Sequence, residues 1–428
     1  MLPVSRSSFW PQLIGLSYER ALLWHRSAST FTLLVTGVHG GVMANDYGLQ
    51  DSFSTQPNCF GFGNVYGTLI LVVGGLLLVL SQSYFRRHYY RLFHLAHYVL
   101  VIAILILACL HISDLIYFLA PSVVIELVCN QIGRLRQHSK SVQTTSARLV
   151  GQGALIEVVL CAPHVVKPLV QRGCTGFGSW VWLSMAGQSS TGETLNPHPF
   201  SVASFNEATS ELKLVIKPGG SGTWTARLAD RIKTIAADNG QLPLTAQASP
   251  LRFRLDGPYG QPAVPMNKYS TIVLVGGGIG VTPLLPILAD AAKPLATRSL
   301  PLLRRLVFVW SVRDVSYLEI AANELHLAAQ TAAEAAALYG NEAAAGVNIQ
   351  VHLHLTTGSR AAALPGLYPV HCARPDIIAI MRASKQVDVE AGGHGMMGFV
   401  CGPSGLVRAV HEAGRLCAVP VHQEAFEM

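Results

Sequence analysis

Four apolar runs near the start of the chain constrain its fold more than any other feature. They lie at residues 27–44, 64–81, 95–111 and 113–129 and hold almost no charged residue. A bilayer-spanning helix needs about 20 predominantly apolar residues, and the runs reach or approach that length. The 428-residue chain is only 13% charged, against roughly 25% in ordinary soluble proteins. The runs predict about four transmembrane helices, and the pattern beyond residue 132 predicts a soluble part of about two domains.

The charged residues that flank these runs predict their orientation. Basic side chains follow the second and fourth runs, at Arg86, Arg87, Arg91, Arg134, Arg136 and Lys140. The connection at residues 41–63 carries Asp46 and Asp51 and has no lysine or arginine. Because lysine and arginine collect on the cytoplasmic side, we expect the amino terminus and everything beyond residue 132 in the cytosol. The pattern predicts a multi-pass protein of the lipid bilayer.

Charge and cysteine usage argue against three other classes of protein. The net charge of +7 follows partly from the membrane topology, and we expect no nucleic-acid partner without a basic patch interleaved with aromatic residues. The eight cysteines form no CxxC pair, which argues against a zinc site or a disulfide framework. The opening residues hold no uninterrupted apolar core, so we expect no cleaved signal peptide.

Four histidines occur in or beside the first and third runs with one shared spacing. His25 and His39 are fourteen residues apart, and so are His97 and His111. On a helix this spacing brings two imidazoles within about 40° of one direction and separates them by roughly 21 Å. Under the predicted topology, His25 lies level with His97 near the inner face and His39 level with His111 near the outer face. Paired imidazoles are axial ligands of haem iron, and ionisable residues within spans tend to be functional. The spacing predicts two stacked haem sites, with ordinary interfacial or core histidines as the alternative.

The stretches "SYERALLWHR" and "RRHYYRLFHLAH", together with the paired histidines, resemble the ferric-chelate reductase and NADPH oxidase superfamily. The resemblance implies a multi-domain chain in which an α-helical transmembrane bundle binds two b-type haems. A ferredoxin-reductase-like module then follows, with an antiparallel β-barrel for FAD and a Rossmann-like α/β domain for NADPH. We place these domains at residues 1–140, 141–262 and 263–428. Family members carry one or two spans before the first histidine helix, and we expect this chain to lack them.

The barrel is expected from short strand-like stretches separated by turn residues. "HPFS", at His198, Pro199, Phe200 and Ser201, matches the family's flavin motif, in which the hydroxyl approaches the reactive edge of the isoalloxazine. The resemblance adds Ser204 to the flavin site. A glycine loop after Lys217 precedes a helix that Thr225 is expected to cap, and the amino terminus of a helix binds pyrophosphate through its free N–H groups. Each pattern alone is also met by ordinary strand ends and turns.

The stretch "STIVLVGGGIGVTPLLPIL" predicts a strand, a glycine turn and a helix that begins near Thr282. Such turns let the backbone approach a pyrophosphate closely. The strict GxGxxG pattern fails from Gly276, but Gly278, Gly280 and Pro283 meet the GxGxxP version that the resembled family uses. Pro283 is tolerated in the first helical turn.

Residues beyond later strands complete the predicted nucleotide site. An arginine past the carboxyl end of a strand pairs with a ribose 2′-phosphate, which selects NADPH, and we favour Arg313 over Arg374. A surface salt bridge is the alternative for each of them. The strand "GFVCGPSG" brings Cys401, Gly402 and Pro403 to the site. In the resembled family a near-terminal aromatic residue covers the flavin and yields to nicotinamide, and Phe426 fits that place. We expect Ser201, Cys401 and Phe426 at the reacting atoms.

The order of these motifs predicts an NADPH-dependent ferric-chelate reductase that uses FAD and two haems. We expect it in the plasma membrane, with an organelle membrane as the alternative. "SYERALLWHR" is closer to metalloreductases than to oxidases, so ferric or cupric complexes are the expected acceptors. One alternative is a superoxide-generating NADPH oxidase, although the chain has no EF-hand loop. The other is a truncated, non-enzymatic relative that keeps the ligands without holding haem.

Overall fold

The structure, a computed structural model, describes residues 18–51, 63–138, 141–151, 153–172, 175–186, 197–239, 244–245, 251–260, 264–339, 346–357 and 368–424. The chain divides into two compact units, Met1–Arg136 and Gln137–Met428. The expected boundary at residue 140 falls between the last helix of the bundle, which ends at His138, and a strand that begins at Ser141.

In its described residues, the first unit consists of helices joined by short turns. Its helices are α1 (Tyr18–Asp51), α2 (Gly63–Leu80), α3 (Ser83–His88), α4 (Tyr90–His111) and α5 (Leu115–His138). The four predicted runs largely coincide with α1, α2, α4 and α5, although Ser81 follows the end of α2 and Ser113 and Asp114 precede α5. Helix α1 extends beyond its run at both ends. Glycines allow α1 and α2 to approach closely, since a Cβ on Gly74 would lie 2.9 Å from the side chain of Leu33.

One described helical stretch, Leu92–His111 within α4, is long and apolar enough by length and composition to cross a membrane. Val65–Leu80 and Leu115–Ile125 are apolar but shorter. Large apolar side chains are exposed on these helices, among them Phe31 on α1, Leu95 on α4 and Phe118 on α5. Exposed apolar surface of this kind is typical of contact with another apolar medium.

The second unit begins with an antiparallel barrel, as predicted. Its strands are β1 (Ser141–Val150), β2 (Leu155–Cys161), β3 (Trp180–Ala186), β4 (His198–Asn206), β5 (Glu211–Ile216), β6 (Leu244–Thr245) and β7 (Arg252–Tyr259). The sheet order is β2-β5-β4-β3-β7-β1-β6, and β1 also pairs with β2, which closes the barrel. Helices α6 (Pro163–Gln171) and α7 (Trp224–Asn239) pack on it and contribute Leu169 and Leu228 to its core.

A parallel sheet follows, flanked by helices. Its strands are β8 (Thr271–Gly277), β9 (Arg305–Val312), β10 (Asn348–Leu355), β11 (Val370–His371), β12 (Met396–Cys401) and β13 (Val421–Gln423). The order β11-β10-β9-β8-β12-β13 reverses direction between β8 and β12, and such a switch point is where open α/β sheets bind ligands. The helices are α8 (Leu285–Ala291), α9 (Ala322–Tyr339), α10 (Ile377–Glu390) and α11 (Ser404–Cys417).

The helix after the glycine turn begins later than predicted. Gly278–Leu284 forms a 3₁₀ segment, and the α-helix α8 starts at Leu285 rather than near Thr282. Pro283 therefore lies inside the 3₁₀ segment. The hydroxyl of Thr282 donates to the carbonyl of Ile279 at 2.8 Å, three residues back, which matches the tighter winding.

Candidate functional site

The inner histidines lie side by side. His25 on α1 and His97 on α4 have ring centroids 6.2 Å apart, with the ring planes inclined by 70°. Two imidazoles on opposite sides of one metal ion, with bonds of about 2 Å, place their centroids about 6 Å apart. The Nδ1 atom of His97 is buried and has no hydrogen-bond partner among the described residues. The pair therefore fits the ligand spacing of a haem iron, although the ligand role stays a prediction.

The outer histidines differ from each other in exposure. His39 is exposed on α1, and His111 is half-buried at the last position of α4. The imidazole of His111 lies against α2, where a Cβ added to Gly67 would be 3.0 Å from its Cε1 atom. Of the two predicted pairs, the structure brings the inner one into ring contact.

The "HPFS" residues lie on β4, which pairs with β3 so that Ser201 faces Trp180 and Pro199 faces Trp182. His198 and Phe200 share one face of the strand and flank the indole of Trp224, with centroid distances of 5.0 and 5.7 Å. The indole Nε1 of Trp224 is buried and lacks a hydrogen-bond partner within the described part of the chain. This aromatic group and the half-buried Ser201 suit a planar cofactor that needs a hydrogen bond.

The threonine that caps α7 is not the one predicted from the sequence. Thr223, not Thr225, caps the helix, because its hydroxyl oxygen accepts the N–H of Ala226 at 3.2 Å. Thr225 instead accepts the N–H of Gly219 at 2.9 Å and so folds the glycine loop over the first turn. Lys217 is exposed at the start of this loop, and Ser204 is half-buried on β4 opposite Lys213. The loop keeps the exposed backbone and the basic residue that a pyrophosphate needs.

The glycine turn after β8 packs directly on the end of β12. A Cβ on Gly280 would lie 2.5 Å from the carbonyl oxygen of Cys401, and one on Gly402 would lie 3.0 Å from the Cα of Gly277. A Cβ on Gly276 would meet Val281 at 3.2 Å, and one on Gly277 would lie 2.6 Å from the ring of Pro403. Gly278 has φ +56°, which L side chains rarely adopt. These predicted residues thus meet at the switch point of the sheet.

Cys401 is accompanied by a carboxylate that the sequence did not indicate. Glu424 follows β13, and its N–H donates to the carbonyl of Val400 at 2.9 Å. Burial, and then the negative charge of Glu424, raise the pKa of the Cys401 thiol to about 12. The imidazole Nε2 of His422 lies 3.2 Å from Oε2 of Glu424. Only the pairing of β12 with β13 joins these distant residues, so no local pattern in the sequence signals Glu424.

The raised pKa predicts an unreactive thiol at Cys401. A thiolate is the form that alkylates, and at pH 8 a group with a pKa of about 12 is protonated almost completely. We expect iodoacetamide to modify the exposed Cys161 and Cys372 at least about 100-fold faster than Cys401. Time-resolved alkylation of the folded chain, followed by peptide mass spectrometry, measures the rates. Labelling of Cys401 at the rate of Cys161 would contradict the assigned environment.

The two arginines, Arg313 and Arg374, follow strands β9 and β11 at the same edge of the parallel sheet. Arg313 is exposed directly after β9, the strand next to β8, and its carbonyl accepts the hydroxyl of Thr357. Arg374 is exposed after β11, two strands farther from β8. Arg313 is therefore nearer in the sheet to the glycine turn. Phe426 lies outside the described residues.

Family models match the chain in the order expected from its motifs. Residues 1–108 match a ferric reductase like transmembrane component, residues 164–263 an FAD-binding domain, and residues 269–414 a ferric reductase NAD binding domain. The matched segments correspond to the helical unit, the barrel and the parallel sheet. The FAD-binding and NAD-binding domains predicted from the sequence are thus confirmed.

Characterised relatives come from both branches of the resembled family. Ferric reduction oxidase 7, chloroplastic, of Arabidopsis thaliana is 27% identical over 74% of this chain and 42% of its own length. Dual oxidase 2 of Rattus norvegicus is 26% identical over 82% of this chain and 22% of its own length. The chain thus spans less than half the length of these relatives. Together with the three domain matches, they show that the chain belongs to the ferric reductase/NADPH oxidase superfamily.

Proposed function

We propose that the chain is a transmembrane metal reductase that uses cytosolic NADPH to reduce ferric or cupric complexes on the other side of a membrane, the plasma membrane by preference. Bound FAD would supply the conversion of a hydride into single electrons, and two haems would supply one-electron transfer across the bilayer. The main support for the proposal is the pair of His25 and His97, whose ring separation suits two ligands of one haem iron. The same chain also contains the FAD-binding and NAD-binding domains of a reductase.

The chain's own residues supply binding and orientation in this scheme. The glycine turn around Gly278 and Gly280 would hold the nucleotide pyrophosphate, and Arg313 would bind the 2′-phosphate. Ser201 would donate its hydroxyl proton in a hydrogen bond to the flavin, and Lys217 would neutralise the flavin pyrophosphate. Burial raises the pKa of the Cys401 thiol, so this thiol would meet the nicotinamide as a neutral group rather than as a nucleophile. The near-terminal Phe426 would cover the flavin until nicotinamide enters.

Charge distribution supports both the topology and the acceptor. The basic residues of segments 83–91 and 132–140 support a cytosolic reductase module. Residues 41–63, beside His39, contain Asp46 and Asp51 and no basic residue. Carboxylates raise the local concentration of cations and disfavour anionic oxidants, and this effect weakens with ionic strength.

An acceptor assay in sealed vesicles tests the proposal. With NADPH supplied on the face that carries the reductase module, we expect ferrous-chelate formation on the opposite face. Asp46→Asn/Asp51→Asn should lower the catalytic efficiency for cationic iron complexes about three-fold at low salt, with the difference lost at high salt. Superoxide production that matches NADPH consumption, while iron stays ferric, would favour the oxidase. Haem-free preparations without either activity would favour a non-enzymatic chain.

Arg313 is predicted to set the preference for NADPH over NADH. A charge-assisted hydrogen bond to the 2′-phosphate contributes about 1.5–3 kcal/mol, so Arg313→Ala should reduce the ratio of kcat/KM for NADPH to that for NADH about 10- to 100-fold. The measurement is steady-state kinetics with both nucleotides. Arg374→Ala is the matched comparison on the same sheet edge and should change the ratio less. A larger effect at Arg374 would transfer the role to that residue.

A further inference from the structure

Four charged side chains form one network where the flavin barrel meets the nucleotide-binding sheet domain, and three of them are buried or nearly so. Lys213 on β5 lies at its centre, and its side chain is 11% exposed. The ammonium donates to the carbonyl of Ile320 at 2.6 Å and to both carboxylate oxygens of Glu324, at 3.2 and 3.3 Å. Ile320 is the penultimate residue of the 3₁₀ segment Val315–Ala321, and Glu324 lies in the first turn of α9. A barrel residue thus binds the nucleotide domain directly.

The network continues within the barrel. Lys213 also lies 3.5 Å from a carboxylate oxygen of Glu157 on β2. Glu157 in turn accepts two hydrogen bonds from the guanidinium of Arg148 on β1, at 2.8 and 3.1 Å. The carboxylates of Glu157 and Glu324 are 9% and 7% exposed, whereas Arg148 at the outer end of the network is 37% exposed. Lys213 is therefore the buried cation that the two carboxylates share. Removing the lysine would leave two buried carboxylates without their shared cation.

The anchored segment leads directly to the predicted nucleotide site. Val315–Ala321 begins two residues after Arg313, and Asp314 caps it by accepting the N–H of Ser316 at 2.9 Å. Near that end, Ser316 approaches the hairpin between β1 and β2 so closely that a Cβ on Gly151 would meet its hydroxyl. The segment is therefore in contact with the barrel near its start and bonded to it through Lys213 at its end.

In some proteins, buried charged networks select one geometry and add little stability. Taking charges out of water costs about as much as their attraction returns, so apolar residues of similar size often stabilise such sites as well or better. A charged network does, however, strongly penalise any arrangement that separates its members. Hydride transfer depends on such positional control, because a displacement of about 1 Å at the reacting centre can cost about 100-fold in rate.

We propose that Lys213 is a positioning residue for hydride transfer: by binding Ile320 and Glu324, it holds the nucleotide domain in the orientation that presents nicotinamide to the flavin. In this proposal Lys213 acts through the segment Val315–Ala321 and not through contact with a cofactor. This inference rests on the proposed transfer of a hydride from NADPH to FAD, and it is independent of the terminal acceptor.

Stopped-flow reduction of the FAD-loaded full chain in detergent by NADPH tests the proposal. Lys213→Met should lower the rate constant of flavin reduction about 10- to 100-fold at saturating NADPH while the amplitude stays complete. Lys213→Arg keeps the charge and the donors and should restore most of the rate. Glu324→Gln keeps the shape at the nucleotide-domain end and should give an intermediate rate. Arg415→Met breaks an exposed pair with Glu412 on α11 and should leave the rate unchanged.

The outcomes separate orientation from folding. Loss of folded protein would lower the amplitude without changing the rate constant of the remaining fraction, and Glu324→Gln then serves as the test if Lys213→Met does not fold. Wild-type rate constants in both variants would overturn the inference and leave the proposed function intact. If NADPH does not reduce the flavin of the wild-type chain, both the positioning role of Lys213 and the proposed function are refuted. If flavin reduction is fast but metal complexes are not reduced, only the assignment of a metal acceptor is refuted.

Discussion

Replacement of His97 by alanine is expected to remove the inner haem and to stop electron flow to the outer acceptor. The 6.2 Å separation of the His25 and His97 rings leaves a single imidazole once His97 is truncated, and one ligand does not maintain a six-coordinate site. Haem content should fall from about two equivalents per chain to about one or fewer. The reduced-minus-oxidised spectrum and a pyridine haemochrome assay measure this loss. Flavin reduction by NADPH should persist, because it needs only the second unit.

The same helix offers a matched control. His94 is exposed on α4, and its ring contacts Tyr98 on the same helix at a centroid distance of 4.9 Å. His94→Ala should therefore keep both haems and the transmembrane activity. His25→Ala should reproduce the loss seen for His97→Ala, whereas His111→Ala should retain the inner haem. Two full haem equivalents in the His97→Ala protein would refute the pairing.

Gly280→Ala is expected to disable the nucleotide site. The added Cβ would lie 2.5 Å from the oxygen and 2.7 Å from the carbon of the Cys401 carbonyl. Both are backbone atoms, so a change of side-chain rotamer cannot relieve the clash. The turn or the end of β12 must move, which costs about 1–3 kcal/mol of folding free energy. Because the same movement displaces Cys401, the rate constant of flavin reduction should fall about 100-fold. Thermal unfolding and stopped-flow reduction by NADPH measure the two effects.

Gly75→Ala provides the comparison for this glycine. Gly75 lies within the helix α2, and a Cβ there would meet nothing within 4 Å. The substitution should be neutral or stabilising by up to about 1 kcal/mol, since alanine favours helices. It should leave flavin reduction unchanged. Equal behaviour of the two variants would show that contact between the β8 turn and β12 is not needed for nucleotide binding.

The glycine turn shows how far sequence patterns extend into the site. Its strand, its glycines and its position before a helix were predictable, because each depends on local backbone freedom and hydrophobic period. The start of the helix at Leu285 was not, since the 3₁₀ winding of Gly278–Leu284 accompanies the packing of the turn against Cys401 and Gly402. The choice of Thr223 over Thr225 as the cap has a similar origin, because both threonines suit the role and the loop fold selects between them.

The sequence by itself determined the helices of the apolar runs, the histidine spacing, the barrel and the parallel sheet, all of which follow from repeating local patterns. Tertiary structure alone decided that the rings of His25 and His97 meet, that Glu424 lies near a protonated Cys401, and that Lys213 joins two domains. The physical reason is how far apart along the chain the interacting residues lie. Hydrophobic periodicity acts between residues a few positions apart, whereas burial, thiol protonation and ion pairing depend on neighbours brought together only when distant elements pack.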